Sequence, residues 1–232
     1  MEKKQATINN VFGKNIYQGS VESFEKLNKD IIPHIENFVK EKPGRVAATT
    51  DVRGSTQYTN LEEAKDDLHT DEKYKKIFNE IRKHIKIFMQ IRGYDKDKFD
   101  AHIVKAWATY TGRDQHIASH KHTGSHFSLI YYVRAEEMGG VKFEEELAAQ
   151  TGLFIPPTNE YITDWNQFNY ASYLLEAKSG NIIIFPSILL HYTETNTKNA
   201  ARISLSADVL LTMKKGIKTE HCIPHPEGWL TI

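Results

Sequence analysis

Helical periodicity early in the chain and strand alternation late predict an α+β fold. The expected form is a double-stranded β-helix, a jelly-roll or cupin-like barrel, backed by N-terminal helices. Three observations carry this. Apolar residues recur at spacings of three and four before residue 100, period-two alternation takes over near Ala101, and short apolar runs broken by turn residues fill the remainder of the chain. At 232 residues the chain reads as a single domain. Its helical support spans about 1–100, the barrel about 101–213 and a short tail 214–232.

Val11 and Ile16 place one short strand within residues 10–19. Ser20 or Ser23 then caps a helix whose stripe is Phe24, Leu27, Ile31, Ile35 and Phe38, with Pro33 inside it predicting a kink or a split. The segment 41–69 is polar, with turns at Pro43-Gly44 and Arg53-Gly54 and a strand candidate at 45–50. Thr70 is the expected N-cap of a second helix, with Asp71 and Glu72 in its first turn. Tyr74, Ile77, Phe78, Ile81, Ile85 and Phe88 form its apolar stripe, and Gly93 stops it. Strand candidates come next from Ala101 to Tyr110 and at 126–134, 140–144, 171–177, 181–186 and 200–212. On the first of these, Trp107 falls on the face opposite Tyr110 and reads as core. Residues 145–170 hold Pro156-Pro157, Phe154, Tyr161, Trp165, Phe168 and Tyr170 without periodicity. They read equally as a lid over the barrel mouth or as a loop anchored to the core.

Thirty acidic residues balance thirty basic ones, so no basic excess argues for nucleic acid or an anionic membrane. Cys222 is the single cysteine, which points to a reducing compartment. The polar start, Met1 to Gln5, leads into no apolar stretch of signal length, and no run reaches the roughly 18 apolar residues of a membrane span. A cytoplasmic protein without membrane or nucleic-acid partners is the expectation.

His120 and His122 flank Lys121 just before the run Phe127 to Val133. Side chains alternate along extended chain, so both imidazoles point one way and Lys121 the other. His191 closes the run 181–190. Imidazole suits zinc, copper, iron and nickel, and three imidazoles from separated stretches meeting on one ion make a metal site. A His-x-His pair also arises in ordinary surface loops. His116 and His126 read as neighbours of the site or surface residues, while His34, His69, His84 and His102 carry no pattern. His221 and His225, in a Pro-containing tail, imitate a site without supporting context.

Arg202 and Ser204 share one strand face, alternating with Ile203 and Leu205. A guanidinium takes a carboxylate in bidentate fashion, and a neighbouring hydroxyl adds a further hydrogen bond. The other reading of Arg202 is a structural ion pair near the barrel rim, with Asp208 as its partner.

Residues 104–210 resemble the iron(II)- and 2-oxoglutarate-dependent oxygenases, in their prolyl-hydroxylase-like branch and its bacterial and phage relatives. The resemblance lies in Tyr110-Thr111-Gly112, His120-x-His122, Ser128 and Tyr132 within Ser-Leu-Ile-Tyr-Tyr-Val, Gly180 with Ile182 to Ser187 and His191, and Arg202-x-Ser204, in that order. It implies iron(II) held by His120, His122 and His191, with 2-oxoglutarate chelated to the metal. It further implies that Arg202 grips the far carboxylate, helped by Tyr132, Ser204, Ser128 and Tyr110, and that dioxygen takes the remaining position. The implied outcome is hydroxylation of a small metabolite, an amino acid or a peptide side chain.

One departure stands out: the family's middle ligand is a carboxylate, where this chain has His122. Three readings stay open. His122 is a ligand in a three-His site; or the carboxylate comes from Asp114 or Glu194; or the site has left oxygenase chemistry for another metal or none. Two other functions therefore stand beside the oxygenase, an oxoglutarate-independent cupin-like three-His metalloenzyme and a non-enzymatic ligand-binding barrel. Occupation of the middle position by an imidazole argues against a halogenase, which needs that place for halide.

Overall fold

Along the last long strand the side chains sort into two sets, and the molecule is layered accordingly. Ile203, Leu205, Ala207 and Val209 join a core beneath two helices, while Arg202, Ser204 and Ser206 line a cleft on the other side. The structure is a computed structural model. It describes residues 14–41, 45–46, 56–58, 67–144, 158–166, 169 and 172–231.

The elements in chain order are β1 (Tyr17–Ser20), α1 (Phe24–Glu41), β2 (Arg45–Val46), β3 (Thr56–Tyr58), α2 (Lys75–Ile91), β4 (Phe99–Thr111) and β5 (Phe127–Arg134). Then come β6 (Val141–Glu144), β7 (Ser172–Leu175), β8 (Asn181–Pro186), β9 (His191–Thr193) and β10 (Arg202–Met213). A seven-stranded antiparallel sheet runs β1-β8-β5-β10-β4-β3-β2, and a three-stranded one runs β7-β6-β9. The architecture is α+β, with two antiparallel sheets rather than a closed barrel. One core lies between the helices and the large sheet, through Ile31, Ile35, Ile77, Phe78, Ile81 and Phe88 against Leu129, Tyr131, Ile182 and Ile184. A second lies between the sheets, joining Ile130, Tyr132, Ile183 and Phe185 to Val141, Phe143 and Leu175. Strands buried on both faces explain the unbroken apolar runs of β5 and β8.

Several local expectations are corrected. Pro33 does not split α1, which is one helix of 18 residues. Pro33 and Lys29 are both exposed, so the carbonyl that proline leaves without a donor lies on the wet side of the helix. Thr70 does not cap α2. It ends a 3₁₀ turn, its hydroxyl donating to the Asp67 carbonyl at 2.9 Å, and Asp71 caps a second such turn by accepting from the Lys73 amide at 2.9 Å. Gly93 does stop α2: at φ +73° it lets its own amide reach the Gln90 carbonyl and that of Tyr94 reach Met89, both at 3.0 Å. The run 181–191 is not one strand. It breaks at Ser187, so β8 stays in the large sheet and His191 opens β9 in the small one. Of the 145–170 segment, Phe154, Phe168, Tyr170 and the proline pair lie outside the described residues, as do the side chain of Phe38 and Val11. Tyr161 is exposed, and Trp165 donates locally to Asn159.

Candidate metal and cosubstrate site

Backbone pairing brings the three separated histidines together. The His120 and His191 amides each donate to the other's carbonyl at 2.9 Å, and the His122 amide donates to the Ser187 carbonyl at 2.9 Å. The loop after β4 is thereby fastened to the turn between β8 and β9. Further along, the Thr193 amide reaches the Ile117 carbonyl, and buried Asn196 ties the approach to β10 to the end of β4 through the Thr111 carbonyl. Phe185 and Phe143 pack against the His191 ring, with centroids 4.7 and 6.0 Å away.

One ligand nitrogen from each of His120, His122 and His191 lies within 4.8 Å of the other two. In all three rings Nδ1 faces an acceptor: the Ala118 carbonyl at 2.8 Å for His120, the Leu189 carbonyl at 2.8 Å for His191, and Asp208 Oδ1 at 2.6 Å for His122. A carbonyl or carboxylate oxygen only accepts, so Nδ1 carries a proton in each ring and Nε2 is the nitrogen left to ligate. Outer partners of this kind orient the ligands of metal-binding histidines. Burial lowers the pKa of His120, and burial together with His120 pushes His191 down to about 3. Both rings are therefore neutral and able to ligate at ordinary pH.

Arg202 sits in the same cleft, 3% exposed. Its Nη1 donates to the carbonyls of Met138 at 2.7 Å and Glu194 at 3.1 Å, while its Nη2 is buried with no partner among the described residues. The Tyr132 hydroxyl and the Thr109 hydroxyl, from the same cleft, are buried and partnerless too. Burial lowers the Arg202 pKa and pushes the Tyr132 phenol up to about 12. A guanidinium held by carbonyls, beside two hydroxyls with nothing to bind, has the chemistry of an anion cradle. The alternative Arg202–Asp208 pair does not form, because Asp208 bonds to His122 and Ser128.

Residues 105–208 match the family described as "Putative 2OG-Fe(II) oxygenase". The match covers the strand-rich part of the chain, from within β4 to within β10. No curated protein matches the chain. Among solved structures, the non-heme alpha ketoglutarate dependent epimerase SnoN from nogalamycin biosynthesis is similar, with TM-score 0.56 and 10% identity over 85% of this chain and 78% of that one. A Pseudomonas putida prolyl-4-hydroxylase aligns with TM-score 0.53 and 10% identity, covering 85% of this chain and 92% of its own. A Trichoplax adhaerens prolyl hydroxylase gives 0.55 and 11%, covering 84% and 83%. At such identities these likenesses concern the fold.

The two groups that the matched family's description names, iron(II) and 2-oxoglutarate, suit the residues present. Three imidazole nitrogens converge as a divalent ion requires, and the buried Arg202 and Tyr132 donors have the chemistry to bind a carboxylate. Two expected cosubstrate contacts are corrected. Tyr110 packs, partly buried, against the helix-side core, because it alternates with Thr109 and Thr111, which face the cleft. Ser128 is fully buried behind His122 rather than in the cleft wall, donating to Asp208 Oδ1 at 2.7 Å. Trp107, expected as core, lines the cleft with its ring 5.5 Å from that of His122. Neither Asp114 nor Glu194 stands among the clustered ligands. Asp114 is exposed beside Arg113, and Glu194 accepts from the Gly140 amide at 3.2 Å. Sequence reasoning also passed over Thr193 and Ser206, which line the cleft, and the place of Asp208 beside His122. Extending the Arg202, Ser204 alternation by two more steps puts Ser206 and Asp208 on the same face, and that signal was in the sequence.

Proposed function

We propose that the chain is an iron(II)- and 2-oxoglutarate-dependent oxygenase that hydroxylates a carbon of a small metabolite, an amino acid or a peptide side chain. His120, His122 and His191 hold the iron(II), and Arg202, Tyr132 and Ser204 hold the far carboxylate of 2-oxoglutarate. The observation that carries this reading is the sharing of one cleft by the three-imidazole cluster and a buried guanidinium with an orphaned nitrogen. The two facing sheets support reading the strand-rich half as the jelly roll of this family, and the exposed free thiol of Cys222 suits a reducing, cytoplasmic setting.

When bound, iron(II) and 2-oxoglutarate supply dioxygen activation, with oxidative decarboxylation to succinate and carbon dioxide coupled to oxidation of the substrate. The chain's own residues position and protect. Arg202 and Tyr132 fix one end of the cosubstrate. The small Thr109, Thr111, Ser204 and Ser206 leave room between that end and the histidines, and Ile130 and Phe185 keep the floor apolar. Trp107 and Ile117 line the cleft beside the histidines and are placed to meet substrate. An oxoglutarate-independent three-His enzyme shares the metal geometry, but it leaves Arg202 Nη2 and the Tyr132 hydroxyl buried without a task.

Anaerobic addition of iron(II) and then 2-oxoglutarate tests the reading. A visible charge-transfer band, followed by succinate on admission of oxygen, is expected. Stoichiometric metal binding with neither band nor succinate would refute it.

A further inference from the structure

The chain keeps a carboxylate at its metal centre, set one residue further out than a direct ligand. Asp208 exposes 3% of its surface. Its Oδ1 accepts from His122 Nδ1 at 2.6 Å and from the Ser128 hydroxyl at 2.7 Å. Among the described residues the His122 ring is the one ion-pair partner that Asp208 has, and no lysine or arginine reaches it. Ser187 Oγ lies 3.0 Å from Ser128 Oγ, and Ser125 donates to Ser187 at 2.8 Å, so a short chain of hydroxyls props the carboxylate from behind. A buried carboxylate without a cation is costly, and breaking up such a charge pair is worse than never forming it. A cation bound at His122 Nε2, on the far side of the ring, would balance Asp208.

We propose that Asp208 is a positioning residue that supplies through the His122 imidazole the negative charge that a carboxylate ligand would bring directly. This rests on reading His120, His122 and His191 as the metal site. It accounts for the one departure from the family's ligand pattern. Three neutral imidazoles alone leave a dipositive centre uncompensated, whereas Asp208 restores one negative charge, fixes the Nδ1–H tautomer and raises the basicity of Nε2. It also accounts for Ser128, whose single proton goes to Asp208 and whose burial removes it from the cleft.

Titration of the metal-free full chain with zinc against a chromophoric chelator, without 2-oxoglutarate, is the test. Four proteins are compared: wild type, D208N, H122D and H122D/D208N. Asparagine keeps an acceptor for Nδ1–H but removes the charge, so D208N is expected to weaken zinc binding about ten- to a hundredfold. In H122D the carboxylate is a direct ligand and Asp208 becomes a repelling neighbour. There the second substitution is expected to leave affinity unchanged or raise it, and a merely structural role for Asp208 cannot produce that change of sign. Should D208N fold poorly, the H122D and H122D/D208N pair makes the decisive comparison on its own. Wild-type affinity in D208N, or an equal loss in both backgrounds, overturns the proposal. Wild type that binds no zinc overturns it together with the metal site. Tight zinc binding without a charge-transfer band on adding iron(II) and 2-oxoglutarate sinks only the oxygenase reading.

Discussion

Replacing Arg202 by methionine separates cosubstrate binding from every other property of the cleft. The side chain is 3% exposed, it is carried on β10 among the cleft-facing serines, and its free Nη2 is the donor assigned to the far carboxylate of 2-oxoglutarate. Without it that carboxylate is buried with neutral hydroxyls, those of Tyr132 and Ser204, and no cation. Removing one partner of a buried charge pair costs about 3–5 kcal/mol, which at about 1.4 kcal/mol per decade weakens 2-oxoglutarate roughly a hundred- to several-thousandfold. The fold should feel far less. Two carbonyls, of Met138 and Glu194, lose their donor at about 1–3 kcal/mol each, but the free protein no longer carries a desolvated guanidinium, a relief of similar size. A net change within about 2 kcal/mol moves the melting temperature by no more than about 4–8 °C. Anaerobic calorimetry of 2-oxoglutarate into metal-loaded protein, with metal content and melting measured in parallel, reads all three quantities. Unchanged 2-oxoglutarate affinity in Arg202→Met, or loss of metal together with cosubstrate, would refute the assignment.

Tyr132→Phe removes a buried hydroxyl that bonds to nothing among the described residues, so melting should hold or rise slightly while 2-oxoglutarate affinity falls; a calorimetric titration showing full affinity contradicts the anion cradle. Acid should destabilise the metal-free protein. Burial lowers the pKa of His34, His69, His84, His120 and His126 and holds His191 near 3. The unfolded chain therefore binds more protons as pH drops below about 6.5, and stability is lost between there and about 3. Urea midpoints in chelator at pH 7.5, 6.0 and 5.0 check this, and a midpoint that climbs on acidification contradicts it. Gly93→Ala and Gly140→Ala should differ sharply. The first meets open space and suffers only its φ of +73°, about 1 kcal/mol, whereas a Cβ on Gly140 overlaps the Leu175 carbonyl oxygen and must part β6 from β7, about 3 kcal/mol or more by denaturant titration.

What could be read from the chain was whatever depends on short-range periodicity. The stripe of α2, the Gly93 stop and the strands β4, β5, β8 and β10 all announce themselves through spacing of three to four or two. The same rule that paired Arg202 with Ser204 also allotted faces, and Tyr110 failed by it. Family order suggested a cosubstrate contact, yet alternation with Thr109 and Thr111 turns Tyr110 to the helices and puts Trp107 in the cleft. What could not be read was contact between distant segments. No local pattern says that Asp208, 86 positions after His122, will hold its ring, or that β8 and β9 part at Ser187 into different sheets. Polar core positions such as Asn196, fully buried beneath the Arg202 approach, look in sequence like ordinary loop residues.

β10 functions as a ruler. Arg202 at one end lines the cleft and Asp208, six positions on, holds the His122 ring, so one strand carries both ends of the candidate site. Under the proposed assignment, the span from guanidinium to ion is set by main-chain geometry rather than by a wall residue. On that assignment a dicarboxylic acid one methylene longer or shorter meets the same two points, and discrimination by carbon count is the expected consequence.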